Sequence, residues 1–292
     1  LGLLVCTDLD GTLLPNGDEP ESAHVRELLG RFVSEVGGQL AFVSGRNRML
    51  VERAMSEYEL PAPHYVVGDI GTSFYEIQGT EWIEVPQWRE DLAQDWEGRR
   101  AEDLAHLFDG FAELKRQELI YQHDCKLSFY TPHDVDSLDL QQRVHERLIE
   151  HGVRASVIHS VDPSLKLGLL DVLPERGTKW HAVEFLAERC GFDIDEIVFA
   201  GDSGNDLEVL ESQVPAVLVA NATDEVRRRA LEGARRKQHE DRLHLARGGF
   251  LDTNGNYAAG ILEGIARFRP EFVETLQRLG AELGLHAETS EQ

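Results

Sequence analysis

The chain has 292 residues, is 41% hydrophobic, and carries a formal net charge of −24 from 53 Asp and Glu against 29 Lys and Arg. That length suits one large domain or a core with an inserted second one, and the apolar content is enough to build a core. The acidity argues against nucleic acid and anionic membranes as partners, and no run of about 18 apolar residues exists to span a bilayer.

An anionic substrate would be repelled at long range, so any phosphate site must be locally positive. Cys6, Cys125 and Cys190 are odd in number, far apart and without metal-ligand spacing. They read as free thiols in a reducing compartment rather than a zinc site, and the expected location is cytoplasmic. No signal-peptide pattern opens the chain. A start at Leu1 without Met fits a trimmed chain or a piece of a longer protein.

In chain order, the apolar run 3–6 reads as a buried strand and ends on Asp8 and Asp10. Spacing of i and i+2 puts both carboxylates on one side of a strand tip, where a doubly wound sheet keeps its ligand crevice. Two acids so close repel unless a cation sits between them. A hard metal such as Mg²⁺ answers this, with one Asp free to act as a nucleophile. Asp and Gly are also ordinary turn residues, so an acidic strand-to-turn loop is an equal reading of this segment alone.

Ser22 can cap a helix whose apolar positions Val25, Leu28, Leu29, Phe32, Val33 and Val36 follow a 3.6 period up to Gly37 and Gly38. A short strand at 40–43 ends at Ser44, Gly45 and Arg46, where a hydroxyl and backbone N–H groups at a helix start form a phosphate cradle. Such turns are common, so this motif alone is weak. A helix over 48–59 leads to a strand at 64–67, which ends in the segment 68–72. This βαβαβ rhythm predicts a parallel sheet.

The pattern changes near Trp82. Helices are expected over 101–115 and 135–152, and strands over 126–131 and 154–161, enough for a small α/β domain with three of the four Trp residues at or within it. Alternation resumes with a strand at 167–173, a helix at 178–190, a strand at 197–200, a helix after Asn205 and a strand at 216–220. The tail from about residue 281 has few apolar positions and is expected to fray. The predicted class is α/β: a doubly wound parallel, Rossmann-like core (1–82 and 166–292) with an inserted smaller α/β cap domain (83–165).

Asp202 and Asp206, in Gly201-Asp202-Ser203-Gly204-Asn205-Asp206, stand at another strand tip and helix start. They can meet the same cation as Asp8, or they can cap the helix. Lys179 opens a helix, where a cation opposes the dipole, so it either neutralises a phosphate or is a solvated surface residue.

Asp-x-Asp-Gly-Thr, then Ser-Gly-Arg, then Lys179, then Gly-Asp-Ser-Gly-Asn-Asp, in this order and at element boundaries, resemble the haloacid dehalogenase superfamily of phosphotransferases. The resemblance covers about residues 1–82 and 166–265. It implies Asp8 as nucleophile and Asp10 as general acid and base. Ser44, Gly45, Lys179 and Asn205 are implied on the phosphate, and Asp8, Asp10, Asp202 and Asp206 around Mg²⁺. The second Asp of the first motif points to the phosphatase branch. The insertion is similar to the α/β cap of the superfamily's second class.

Within that class Gly71-Thr72, the segment 121–130, Leu173-Pro174 and the segment 255–264 resemble sucrose-phosphate phosphatases. The Asp-Gly-Thr opening is shared with mannosylfructose-phosphate phosphatases. The resemblance implies an Mg²⁺-dependent phosphatase of a sugar phosphate, first sucrose 6-phosphate, acting through an aspartyl phosphate. Mannosylfructose phosphate, glucosylglycerol phosphate or hexose phosphates are alternative substrates. Alternative activities are a sugar phosphomutase and a non-catalytic module assisting a sugar-phosphate synthase. Association with such a synthase is a partner expectation. Lys126 and His123 of the cap, with Asp69, Gly71 and Thr72, are the candidates for sugar contact. For nearby aromatics such as Trp82, Trp88 and Tyr130, packing is the commoner role.

Overall fold

The computed structural model describes residues 2–162 and 166–285. Two compact units emerge, one of Leu1–Ile83 with Lys179–Gln292 and one of Glu84–Thr178.

The first unit opens with β1 (Leu4–Thr7), α1 (Val25–Glu35), β2 (Gln39–Val43), α2 (Arg48–Glu57), β3 (Tyr65–Gly68), β4 (Ser73–Gln78) and β5 (Glu81–Glu84). The second unit carries α3 (Pro86–Ala93), α4 (Ala101–Leu104), β6 (Lys115–Arg116), β7 (Leu127–Thr131), α5 (Ser137–Glu150), β8 (Ala155–Asp162) and β9 (Leu167–Pro174). The chain then returns to the first with α6 (Lys179–Cys190), β10 (Ile197–Gly201), α7 (Leu207–Leu210), β11 (Ala216–Leu218), α8 (Asp224–Lys237), β12 (Leu243–Leu245), α9 (Ala258–Phe268) and α10 (Val273–Glu282).

The eight-stranded sheet runs β12-β11-β10-β1-β2-β3-β4-β5. The pairings of β1 with β2 and β10, of β2 with β3, and of β11 with β10 and β12 are parallel. β3 and β4 pair antiparallel. Strand β1 is buried at every position, as a central strand covered on both faces must be. Chain order proceeds outward from β1 to β2 and β3 on one side and from β10 to β11 and β12 on the other. The topological switch therefore lies at β1 and β10, where an open α/β sheet presents its crevice.

The apolar stripe of α1 packs Leu28, Leu29 and Phe32 into this core beside Ile261 and Ile265 of α9 and Leu276 of α10. Ser22 does not cap α1: the N-cap is His24, with no side-chain cap, and the Ser22 hydroxyl accepts from Asn254 N at 3.1 Å.

In the second unit the antiparallel sheet runs β6-β7-β9-β8. Leu127, Phe129, Leu170 and Val172 meet Leu140, Val144 and Leu148 of α5. Strand β9, expected in the core, belongs to this sheet, so the return to the first unit falls at Thr178 and not at residue 165. Its alternating burial is that of a half-covered antiparallel strand, paired with β8 through a long hairpin. The expected helix over 101–115 stops early: α4 passes into a 3-10 turn at Ala105–Phe108, and the segment's end forms edge strand β6.

Residues 281–285 do not fray; Leu283 and Leu285 pack on the first unit's core, and the tail beyond lies outside the described residues. Cys6 and Cys125 are buried and Cys190 half-buried, all three as free thiols. Among the described residues no helix is long and apolar enough to cross a membrane.

Candidate active site

Three loops leave the carboxyl ends of the neighbouring strands β10, β1 and β2 and converge. The parallel ladder continues one step beyond β1, with Asp8 N donating to Ala200 O at 2.9 Å, so the Asp8 backbone is fixed by the sheet itself. The residue is 4% exposed, and each of its two carboxylate oxygens has a protein partner. One oxygen accepts from Leu9 N at 2.7 Å and the other lies 2.8 Å from Lys179 Nζ. Burial raises the Asp8 carboxyl to about 7, with Lys179 opposing and Asp206 adding to the rise.

Lys179 is the first residue of α6 and is 3% exposed. Its ammonium donates to Asp206 Oδ1 at 2.6 Å and to Asn205 Oδ1 at 3.0 Å, besides its pair with Asp8. Burial works against this charge, but Asp206 and Asp8 outweigh it and hold the lysine above its ordinary range. Lys179 is thus a buried ion-pair centre and not a solvated surface residue.

Asp206 closes the turn, as the capping alternative expected, and also pairs with Lys179. Its Oδ2 accepts from the backbone N–H groups of Asp202 (3.1 Å) and Ser203 (3.0 Å), closing the turn, while Oδ1 meets Lys179. Asp202 accepts from Thr12 Oγ1 at 2.9 Å, and burial raises its carboxyl to about 6. Carboxylate oxygens of Asp8, Asp202 and Asp206 all lie within 4.8 Å of one another. Three acids share this spot with one ammonium, and an oxygen donor set with excess negative charge suits a hard divalent cation.

Asp10 is not part of that trio. Arg46 grips it with a fork, Nε to Oδ2 at 2.8 Å and Nη2 to Oδ1 at 2.6 Å, and Asn16 Nδ2 adds a contact at 2.6 Å. Burial pushes the Asp10 carboxyl up, but Arg46 and Asn16 prevail and hold it below the ordinary carboxylate range. Arg46 and Asn16 therefore belong to the site, and sequence reasoning assigned them no role. For Arg46 the signal was present, one residue beyond the Ser44-Gly45 pair. Asn16 and Thr12 act through loop folding that no spacing rule reveals.

Ser44 is buried, its N–H donating to Val67 O at 2.9 Å and its Oγ accepting from Arg46 N at 3.2 Å. Asp8, Asp10, Gly45, Arg46, Asp202 and Asn205 line one open cleft of about 430 Å³. The Gly68–Thr72 turn abuts the Ser44–Arg46 turn, since Asp69 N donates to Arg46 O at 2.9 Å.

Asp69 and Ile70 have positive φ (50° and 60°), as does Gly71 (95°). The Asp69 carboxylate accepts from Ser73 Oγ at 3.0 Å, and Thr72 Oγ1 donates to Asp69 O at 2.8 Å, so both side chains stabilise this strained turn. In the second unit His123 and Lys126 close a tight turn by backbone bonds of 3.3 and 3.0 Å, and His123 Nδ1 accepts from Cys125 N at 3.2 Å.

The sequence-family description sucrose-6F-phosphate phosphohydrolase matches residues 1–269. A Nitrosococcus oceani protein classed as a HAD-like hydrolase is 47% identical over 92% of this chain and 72% of its own length. The mannosylfructose-phosphate phosphatase of Agrobacterium fabrum is 28% identical over 90% of this chain and 95% of its own. Among solved structures, the sucrose-phosphatase of Synechocystis sp. PCC6803, in complex with sucrose and phosphate, aligns with a TM-score of 0.64 and 25% identity. That alignment covers 91% of this chain and 97% of the other. With its four motifs gathered at the switch point of a doubly wound sheet, this chain belongs to the sucrose-6F-phosphate phosphohydrolase family of the haloacid dehalogenase superfamily and is a phosphoric monoester hydrolase.

Proposed function

We propose that this chain is an Mg²⁺-dependent phosphatase that hydrolyses sucrose 6-phosphate. The observation that carries the proposal is the buried contact of Asp8 with Lys179 at 2.8 Å beside the carboxylates of Asp202 and Asp206. Asp8, Asp202 and Asp206 would hold Mg²⁺, which supplies charge neutralisation for the phosphoryl oxygens. Asp8 attacks phosphorus and the bond to the sugar oxygen breaks, leaving an aspartyl phosphate. Lys179, Ser44, the backbone at Gly45 and Asn205 hold the phosphoryl oxygens.

Asp10 gives its proton to the departing sugar oxygen and then takes one from the water that attacks the aspartyl phosphate. The Arg46 fork favours the ionised form of Asp10, so proton delivery requires that fork to open. Sugar-reading roles are proposed for Lys126 and His123 in the second unit, and for Asp69, Gly71 and Thr72 in the first. In the last three the turn itself, more than free side-chain atoms, is the element to test.

Family membership and the likeness to a sucrose-phosphatase support sucrose 6-phosphate. The likeness to a mannosylfructose-phosphate phosphatase favours that disaccharide phosphate as the second reading. Purified protein with Mg²⁺ should be assayed for phosphate release from both disaccharide phosphates, glucosylglycerol phosphate and hexose phosphates. Preference for sucrose 6-phosphate supports the proposal; comparable rates on simple hexose phosphates sink it.

A further inference from the structure

The segment 254–257 and Asn221 lie far along the chain from the Asp8–Asp10 loop, yet they grip the backbone that follows it. Tyr257 stands at φ 50°, ψ −131°, a backbone state that strongly favours glycine, although its side chain is fully buried. Its N–H donates to Asn221 Oδ1 at 2.9 Å. The same carboxamide donates from Nδ2 to Gly11 O at 2.6 Å. Only one orientation of this amide satisfies both neighbours, because one presents a donor and the other an acceptor.

Beyond Gly11 the next residue, Thr12, donates from Oγ1 to Asp202 Oδ1 at 2.9 Å. At its far end the same loop is tied down again: Asn254 and Asn256 both donate to Pro20 O, at 2.8 and 3.0 Å.

We propose that Asn221, anchored by the strained Tyr257 backbone, is a positioning residue for the Asp202 carboxylate. It acts through the Gly11–Thr12 peptide and so sets the affinity for a divalent cation. This role rests on the metal reading given above. Asn221 is suited to it because a donor for Gly11 O and an acceptor for Tyr257 N are both required, and Asp at this position supplies only the second. Strain at Tyr257 persists where the surroundings over-determine it, and such strain clusters at functional loops.

The test is Mg²⁺ binding by titration calorimetry on wild type, Asn221→Asp, Thr12→Val and the double variant, with kcat and KM measured alongside. Removal of an outer-shell partner of a metal ligand typically weakens binding by about 10-fold to 100-fold. N221D should therefore weaken Mg²⁺ by about tenfold and lower kcat while leaving KM nearly unchanged. The double variant should be little worse than the weaker single variant, because both act along one chain of contacts.

Wild-type affinity in N221D, or losses that simply multiply in the double variant, overturns the positioning role. If N221D does not fold, Asn221→Ser is measured under the same criteria. A wild-type protein that binds no Mg²⁺ overturns the metal reading itself and the positioning role with it.

Discussion

Arg46 lowers the Asp10 carboxyl against the effect of burial, and its removal should be visible in the pH profile. Without the guanidinium, burial acts on Asp10 with less opposition, so its carboxyl rises. We expect the limb of kcat/KM that Asp10 governs to move to higher pH in Arg46→Ala; an unmoved limb would contradict the fork's role. Asp8 and Asp202 lie on the other side of the ordinary value, raised by burial to about 7 and about 6. The folded state then holds these protons more tightly than the unfolded chain does, so the stability they contribute is present at low pH and is lost as pH rises through these values.

A bound divalent cation must displace the same protons. Mg²⁺ should therefore raise the melting temperature more at about pH 8 than at about pH 5. Equal stabilisation at both would argue against these carboxyls as the ligands.

At the scale of elements, β1, β2 and β10 and the loops that follow them were legible because each is a short apolar run ending in a polar motif. The stripe of α1 was legible because its period is regular and its buried residues are the predicted ones. Strand β9 was misplaced because an antiparallel hairpin strand and a parallel core strand can both read as a run rich in Leu and Val. The shared grip on Asp10 by Arg46 and Asn16 was not legible, since it depends on how a loop folds back and no periodicity governs that.

Gly11 illustrates the same limit. It has φ +71°, and a Cβ there would run into the Asp202 carboxylate. Gly11→Ala should cost about 1 kcal/mol or more from the left-handed backbone alone. It should also lower Mg²⁺ affinity by displacing Asp202. A variant with wild-type melting temperature and Mg²⁺ binding would contradict this packing.

For the whole molecule, the net charge of −24 opposes the approach of a phosphate ester, and in the cleft Lys179 and Arg46 offset only part of the charge of Asp8, Asp10, Asp202 and Asp206. Screening lengths shrink to about 10 Å at 0.1 M salt. Moderate added salt should then raise kcat/KM where association limits the rate, by weakening long-range repulsion more than contacts within the cleft. A steep fall would show that attraction governs the encounter.

Transfer of the phosphoryl group to Asp8 is the step on which the proposed hydrolysis turns. It is tested most directly by acid quenching during turnover of sucrose 6-phosphate, followed by mass spectrometry of the peptide that contains Asp8. We expect a phosphoryl adduct on Asp8 that forms within the first turnover and is absent from Asp8→Asn, together with loss of phosphate release in that variant. Undiminished turnover in Asp8→Asn, or an adduct on another residue, would contradict it.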